Sequence, residues 1–128
     1  MGKLNNEVIK MLEETKVWVV STCGEKPNAI PVAFHMVKDN DLIVLDVFME
    51  ITLDNIQNNK NIAITVFNDS TLQGYQVKGI ASYSTDASLI EMGNNVTSAL
   101  GLTTKGVLTI KPEEAYVLTP GPDVGKLI

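Results

Sequence analysis

Apolar residues recur along this chain at two periods. Between residues 4 and 14, Leu4, Val8, Met11 and Leu12, with Ile9 beside them, fall at helical spacing and predict an amphipathic helix. The stretch 17–22, rich in Val and Trp, predicts a strand. Gly24-Glu25-Lys26-Pro27 marks a turn. Residues 28–37 alternate, with Ile30, Val32, Phe34 and Met36 on one face and Ala29, Ala33, His35 and Val37 on the other. Pro31 lies inside this second strand. Proline cannot donate to a sheet ladder, so the strand is at an edge or bulged there. Residues 38–41 predict a hairpin loop and 42–47 a third strand.

The second half continues the pattern. Residues 52–59 predict a short helix with Thr52 as its N-cap, the hydroxyl facing the free N–H groups of the first turn. Strands are expected at 62–67 and 72–83, the latter containing Gly74 and Gly79, with a turn at 68–70 between them. A further helix at 87–100 is weakened or kinked by Gly93-Asn94-Asn95. Last strands at 106–110 and 115–118 are broken at 111–114, and a Pro- and Gly-rich tail follows. Six or seven short strands with mostly short turns predict a mainly β protein, an antiparallel barrel decorated by two or three helices. There is no internal repeat, linker or low-complexity segment, so residues 1–128 read as one domain.

Composition narrows the partners. The net charge is −5 and all ten basic residues are lysines. That field repels phosphate backbones and argues against a nucleic-acid binder. Without arginine, any bound phosphate must be met by lysine, hydroxyls, backbone N–H groups or a helix N-terminus. The longest apolar runs, 17–20 and 42–45, are far below the ~20 residues of a membrane span. No basic segment and apolar core open the chain, so a secretory leader is not expected. The single Cys23 excludes an internal disulfide. Together these features point to the cytoplasm.

Candidate chemistry is sparse. Thr52 and Asn55 at a strand-to-helix junction suit an anion, but equally suit a plain cap and a surface amide. Gly74 and Gly79 bracket Tyr75-Gln76-Val77-Lys78, and glycine in a strand marks a bulge or a close approach. Gln76 and Lys78 share one face there, an amide and a cation fit for a polar planar ligand, or simply a solvated face. His35, the only histidine, has no partner at metal-ligand spacing and reads as structural. Cys23 reads as a packing thiol. Glu50 either faces a ligand or complements a helix dipole. No nucleophile elbow, P-loop or dinucleotide fingerprint is present.

Several segments, taken in order, carry a family resemblance. They are Lys26-Pro27-Asn28 with Pro31-Val32-Ala33-Phe34, then Leu45 through Phe48, then Thr52-Leu53-Asp54-Asn55-Ile56. Gly74-Tyr75-Gln76-Val77-Lys78-Gly79-Ile80-Ala81, Lys105-Gly106-Val107 and the closing Pro120-Gly121-Pro122 with Gly125-Lys126 follow. The chain resembles the pyridoxamine 5′-phosphate oxidase-like FMN-binding split-barrel family. The resemblance implies a six-stranded antiparallel split barrel that forms a homodimer with FMN at the subunit interface. It implies cofactor-binding roles for Pro31, Val32 and Ala33, for Leu45, Asp46, Val47 and Phe48, and for Thr52, Asn55, Gln76 and Lys78. It also places the Pro-Gly-Pro tail near the flavin ring. One position departs: Ile51 stands where most relatives carry a lysine that meets the FMN phosphate.

Two functions from different classes follow. One is a small redox carrier or FMN-dependent oxidoreductase in which the flavin does the chemistry. The other is a non-catalytic split-barrel dimer that binds another small molecule, or no cofactor, because Ile51 has replaced the lysine. Pyridoxamine phosphate oxidation itself is disfavoured, since the substrate's own phosphate needs further cationic contacts.

Overall fold

The computed structural model describes residues 3–128. Helix α1, Asn6–Glu14, starts at Asn5, whose side chain accepts from the Val8 N–H, and buries Val8, Met11 and Leu12. The chain continues through strands β1 (Trp18–Thr22), β2 (Asn28–Val32), β3 (His35–Lys38) and β4 (Asp41–Asp46), helix α2 (Glu50–Asn58), strands β5 (Asn61–Phe67) and β6 (Gly74–Ser84), helix α3 (Ala87–Thr97) and strand β7 (Gly106–Val117).

All the strand pairs are antiparallel, in the order β2-β1-β5-β6-β7-β4-β3. The two edge strands, β2 and β3, are consecutive in the chain. The two-residue step Ala33-Phe34 therefore links one edge of the sheet to the other and curls it into a split barrel. This step is why the structure has seven strands rather than six. The predicted strand 28–37 is one run of alternating residues folded at a corner, and the Phe34 carbonyl still accepts from the Leu45 N–H across it (3.0 Å). Pro31 sits on edge strand β2, opposite Val19, where its missing N–H costs no ladder bond.

Inward side chains of the strands meet α1 in the main core, which includes Trp18, Val20, Leu42, Val44, Ile64, Val77, Leu108 and Ile110, with Val37 of β3 packed against it. The Trp18 indole N–H donates to the Leu12 carbonyl (2.9 Å), and its ring stacks on His35 at 4.0 Å between centroids. His35 Nε2 lies 2.8 Å from the Lys16 carbonyl, so the neutral ring donates there. Burial lowers the His35 pKa from its ordinary 6.5, against the raising effect of the Lys16 contact. His35 is thus a structural residue, as its isolation in the sequence predicts.

The last strand and α3 differ from their predicted forms. The break at 111–114 is absent: β7 is continuous, with a bulge opposite Lys78/Gly79 that puts Gly79 against Pro112 and Lys78 against Glu114. A Cβ on Gly79 would stand 2.3 Å from the Lys111 carbonyl oxygen, so only glycine admits that approach. Helix α3 runs through Gly93 without a break. The bare Cα of Gly93 receives the Thr104 side chain, whose Cγ2 would lie 2.6 Å from an added Cβ. The helix ends at Thr97 and one 3-10 turn, Ser98–Leu100, completes the predicted span.

Candidate functional site

Helix α2 begins two residues before its predicted start. Met49 is the N-cap and makes no side-chain cap bond, so Thr52 lies inside the first turn and is not the cap. The reason is tertiary. Thr52 is buried, and its Oγ1 accepts from Asn28 Nδ2 (3.0 Å) on β2. Asn28 also donates to Thr22 Oγ1 (3.2 Å), and Asn55 Nδ2 donates to the same Thr22 oxygen (3.0 Å). Thr22, Asn28, Thr52 and Asn55 form a polar brace between the β1–β2 hairpin and α2.

This brace closes one end of a groove. A cleft of about 440 Å³ is lined by Asn28, Ile30, Phe48, Met49, Glu50, Ile51, Thr52 and Lys105. A second cleft, about 240 Å³, shares Ile30, Phe48 and Met49 with it and adds Pro31, Val32, Ala33, Phe34, Leu45, Val47 and Leu102. One end thus offers an amide, a hydroxyl, an ammonium and one carboxylate, and the other is apolar. Phe48 is 76% exposed and Ile51 65% exposed, so both stand open to solvent at this surface.

Pro31, Val32, Ala33, Leu45, Val47, Phe48 and Thr52 meet in this groove as their order in the chain suggests. Others do not. The Asp46 side chain is buried, and its Oδ2 accepts from the Tyr83 hydroxyl (2.6 Å). Burial first, then this contact, raises the Tyr83 pKa. Asp46 Oδ1 has no partner among the described residues. Asn55 is committed to Thr22, with its amide packed where a Gly24 side chain would stand. Gln76 and Lys78 lie on the outer face of β6, opposite the buried Tyr75 and Val77. Lys78 lines a separate cleft of about 280 Å³ with Ser21, Cys23, Glu113 and Glu114. Cys23 is exposed there and is not a packing thiol. The Pro-Gly-Pro tail lines yet another cleft, about 530 Å³, with Glu7, Gln73 and Tyr75.

Sequence reasoning did not single out Asn28 or Lys105 for this site. Both sit in segments that carry the family resemblance, but their approach to Thr52 and Phe48 crosses 24 and 57 residues of chain, as the numbering shows, and leaves no local pattern.

The pyridoxamine 5′-phosphate oxidase family profile matches residues 4–119. The chain belongs to that family. Protein MJ0282 of Methanocaldococcus jannaschii is 35% identical over 132 residues, covering 98% of this chain and 88% of that protein. Two solved structures share the fold. HupZ of Group A Streptococcus has a TM-score of 0.81 at 22% identity, over 95% of this chain and 99% of that one. General Stress Protein 26 of Bacillus anthracis has a TM-score of 0.72 at 20% identity, over 90% and 93%. Among the described residues of this family member, no helix is long and apolar enough to cross a membrane.

Proposed function

We propose that the protein binds FMN in the groove beside α2 and works as a small redox carrier or flavin-dependent oxidoreductase. The observation that carries this reading is the polarity gradient along one groove. Its polar end holds Asn28, Thr52 and Lys105, fitted to a phosphate. Its apolar end, between the β2–β3 corner and the end of β4, is fitted to a flat ring. The residues present fit the cofactor. When bound, the flavin supplies electron or hydride transfer, and the chain binds and orients it.

The proposal includes a homodimer. The outer rows Pro31–Val19–Thr65–Gln76–Tyr116 and Ala29–Ser21–Ala63–Lys78–Glu114 form a face on which Val19 is 38% exposed and Phe67 is exposed beside it. A second copy on this face would bring Gln76 and Lys78 to bear on the flavin from the partner side. The exposed thiol of Cys23 suits a reducing compartment, consistent with a cytoplasmic protein.

A second reading rests on Ile51 and Glu50. They set an apolar and an acidic side chain where a phosphate would approach, and favour a binding module for another small molecule. A visible spectrum of freshly purified protein, followed by FMN titration with flavin fluorescence, decides between them. Co-purifying flavin, or saturable binding at low micromolar or below, supports the flavoprotein. A colourless protein that ignores FMN sinks it and favours the module.

A further inference from the structure

We infer that Lys105 makes the groove selective for a phosphorylated flavin over an unphosphorylated one. This assignment rests on the flavin reading above and adds the residue that decides it. Lys105 is the single cation among the residues lining the polar cleft. Among the described residues it enters neither ion pair, since these join Lys111 to Asp41 and Lys126 to Asp123. Its ammonium rests 5.2 Å above the exposed Phe48 ring, a weak contact readily given up to an anion.

Among the described residues the side chain is held only by that ring contact, whereas its backbone is fixed by hydrogen bonds. The Lys105 N–H donates to the Asp46 carbonyl (2.7 Å), and the preceding Thr104 N–H donates to Asn94 Oδ1 (2.8 Å). Thr104 is buried, shares a hydroxyl contact with Thr97 (3.1 Å) and fills the space above Gly93. The loop from α3 to β7 thus presents the lysine stem at a fixed point on the groove wall. Opposite it, Asn28 and Thr52 are already oriented by their mutual hydrogen bond, and the Thr52 hydroxyl proton has no acceptor among the described residues. An ammonium is a compact charge with three donors, suited to a phosphomonoester. Ile51 contributes no charge, Glu50 opposes an anion, and Lys78 lies in a different cleft.

Isothermal titration of the full chain with FMN and with riboflavin tests this. Wild type should bind FMN about tenfold or more tighter than riboflavin, the scale of one charge-assisted contact. Lys105→Gln should remove most of that ratio while leaving riboflavin affinity unchanged. Lys105→Arg should keep much of it. Lys38→Gln, which removes the same net charge from an exposed position on β3, should keep all of it. Circular dichroism should show every variant folded, since Lys105 is exposed. A ratio that survives in Lys105→Gln, a wild type without preference, or an equal loss for both flavins would each overturn the assignment and leave flavin binding standing. Binding of neither flavin would overturn the flavin reading and this assignment together.

Discussion

The outside of the barrel has two unlike patches. On β4 and β7, Ile43, Leu45 and Val107 point outward yet are buried, because Leu89 and Met92 of α3 and Phe34 and Met36 from the β2–β3 corner and β3 pack over them. On β1, β5 and β6, the outward positions Val19, Ala63, Thr65, Gln76 and Lys78 have no such cover. Both patches alternate with buried core positions along their strands, the covered one carrying Ile43, Leu45 and Val107 and the bare one Val19, Ala63 and Thr65 beside the polar Gln76 and Lys78. The difference teaches that strand alternation marks which residues face out, whereas the helix decides whether facing out means facing water. The groove lies near the boundary of the two, with Leu45 from the covered patch and Pro31 from the bare one.

The largest expected effect is on the covered side. Ile43→Ala removes a buried side chain from a small cluster and should cost about 2–5 kcal/mol, read as a lower urea midpoint. The matching change on the bare side, Val19→Ala, should cost far less under conditions that keep the protein monomeric. Equal costs there would mean that β1 is covered within a single chain.

Next comes assembly. Thr65→Arg places a charge in the middle of the bare face and should weaken the proposed dimer roughly a hundredfold, about 2.7 kcal/mol. Sedimentation velocity across a concentration series reads it. A wild type that is monomeric throughout, or a variant that associates like wild type, would show that this face is not the interface.

Ile51→Lys should tighten FMN by about tenfold, since it adds a second cation to the polar cleft. No gain in the titration would show that residue 51 stays out of reach of the phosphate.

The smallest effect concerns the interior. The His35 pKa is lowered in the folded state, so the unfolded chain takes up the proton first as pH falls. The stability contribution is full above the unfolded value of 6.5 and is lost as pH falls from there through the lowered folded value. His35→Gln should flatten the stability profile as pH falls below 6.5. An unchanged slope would assign that window to other groups.

Much of the architecture was legible because its signals are local. The helical spacing of Leu4, Val8, Met11 and Leu12 and the position of Pro31 on an edge depend on near neighbours, and both appear in the fold. The expected single face from Ile30 to Met36 does not: Ile30 and Val32 pack on the main core, whereas past the corner Phe34 and Met36 join the outer cluster under α3 and Val37 turns to the core. The gathering of Pro31 to Phe34 with Leu45, Val47 and Phe48, which the family resemblance implied, also appears, because β2 runs straight into β3, the strand paired with β4. The corner at Ala33-Phe34, the start of α2 and the unbroken β7 were not legible. Each is set by a distant partner: the Leu45 N–H, the Asn28 amide and the bare Cα of Gly79.

The site divides along the same line. The sequence by itself determined which residue types were available: lysine without arginine, one threonine in the first turn of α2, and an isoleucine beside it. Only the tertiary structure decided their use. It turned Asp46 inward to Tyr83, tied Asn55 to Thr22, and brought Lys105 beside Phe48. A hydrogen bond or a cation over a ring requires two groups within a few ångströms, and the spacing of residues along a chain says nothing about that distance until the chain has folded.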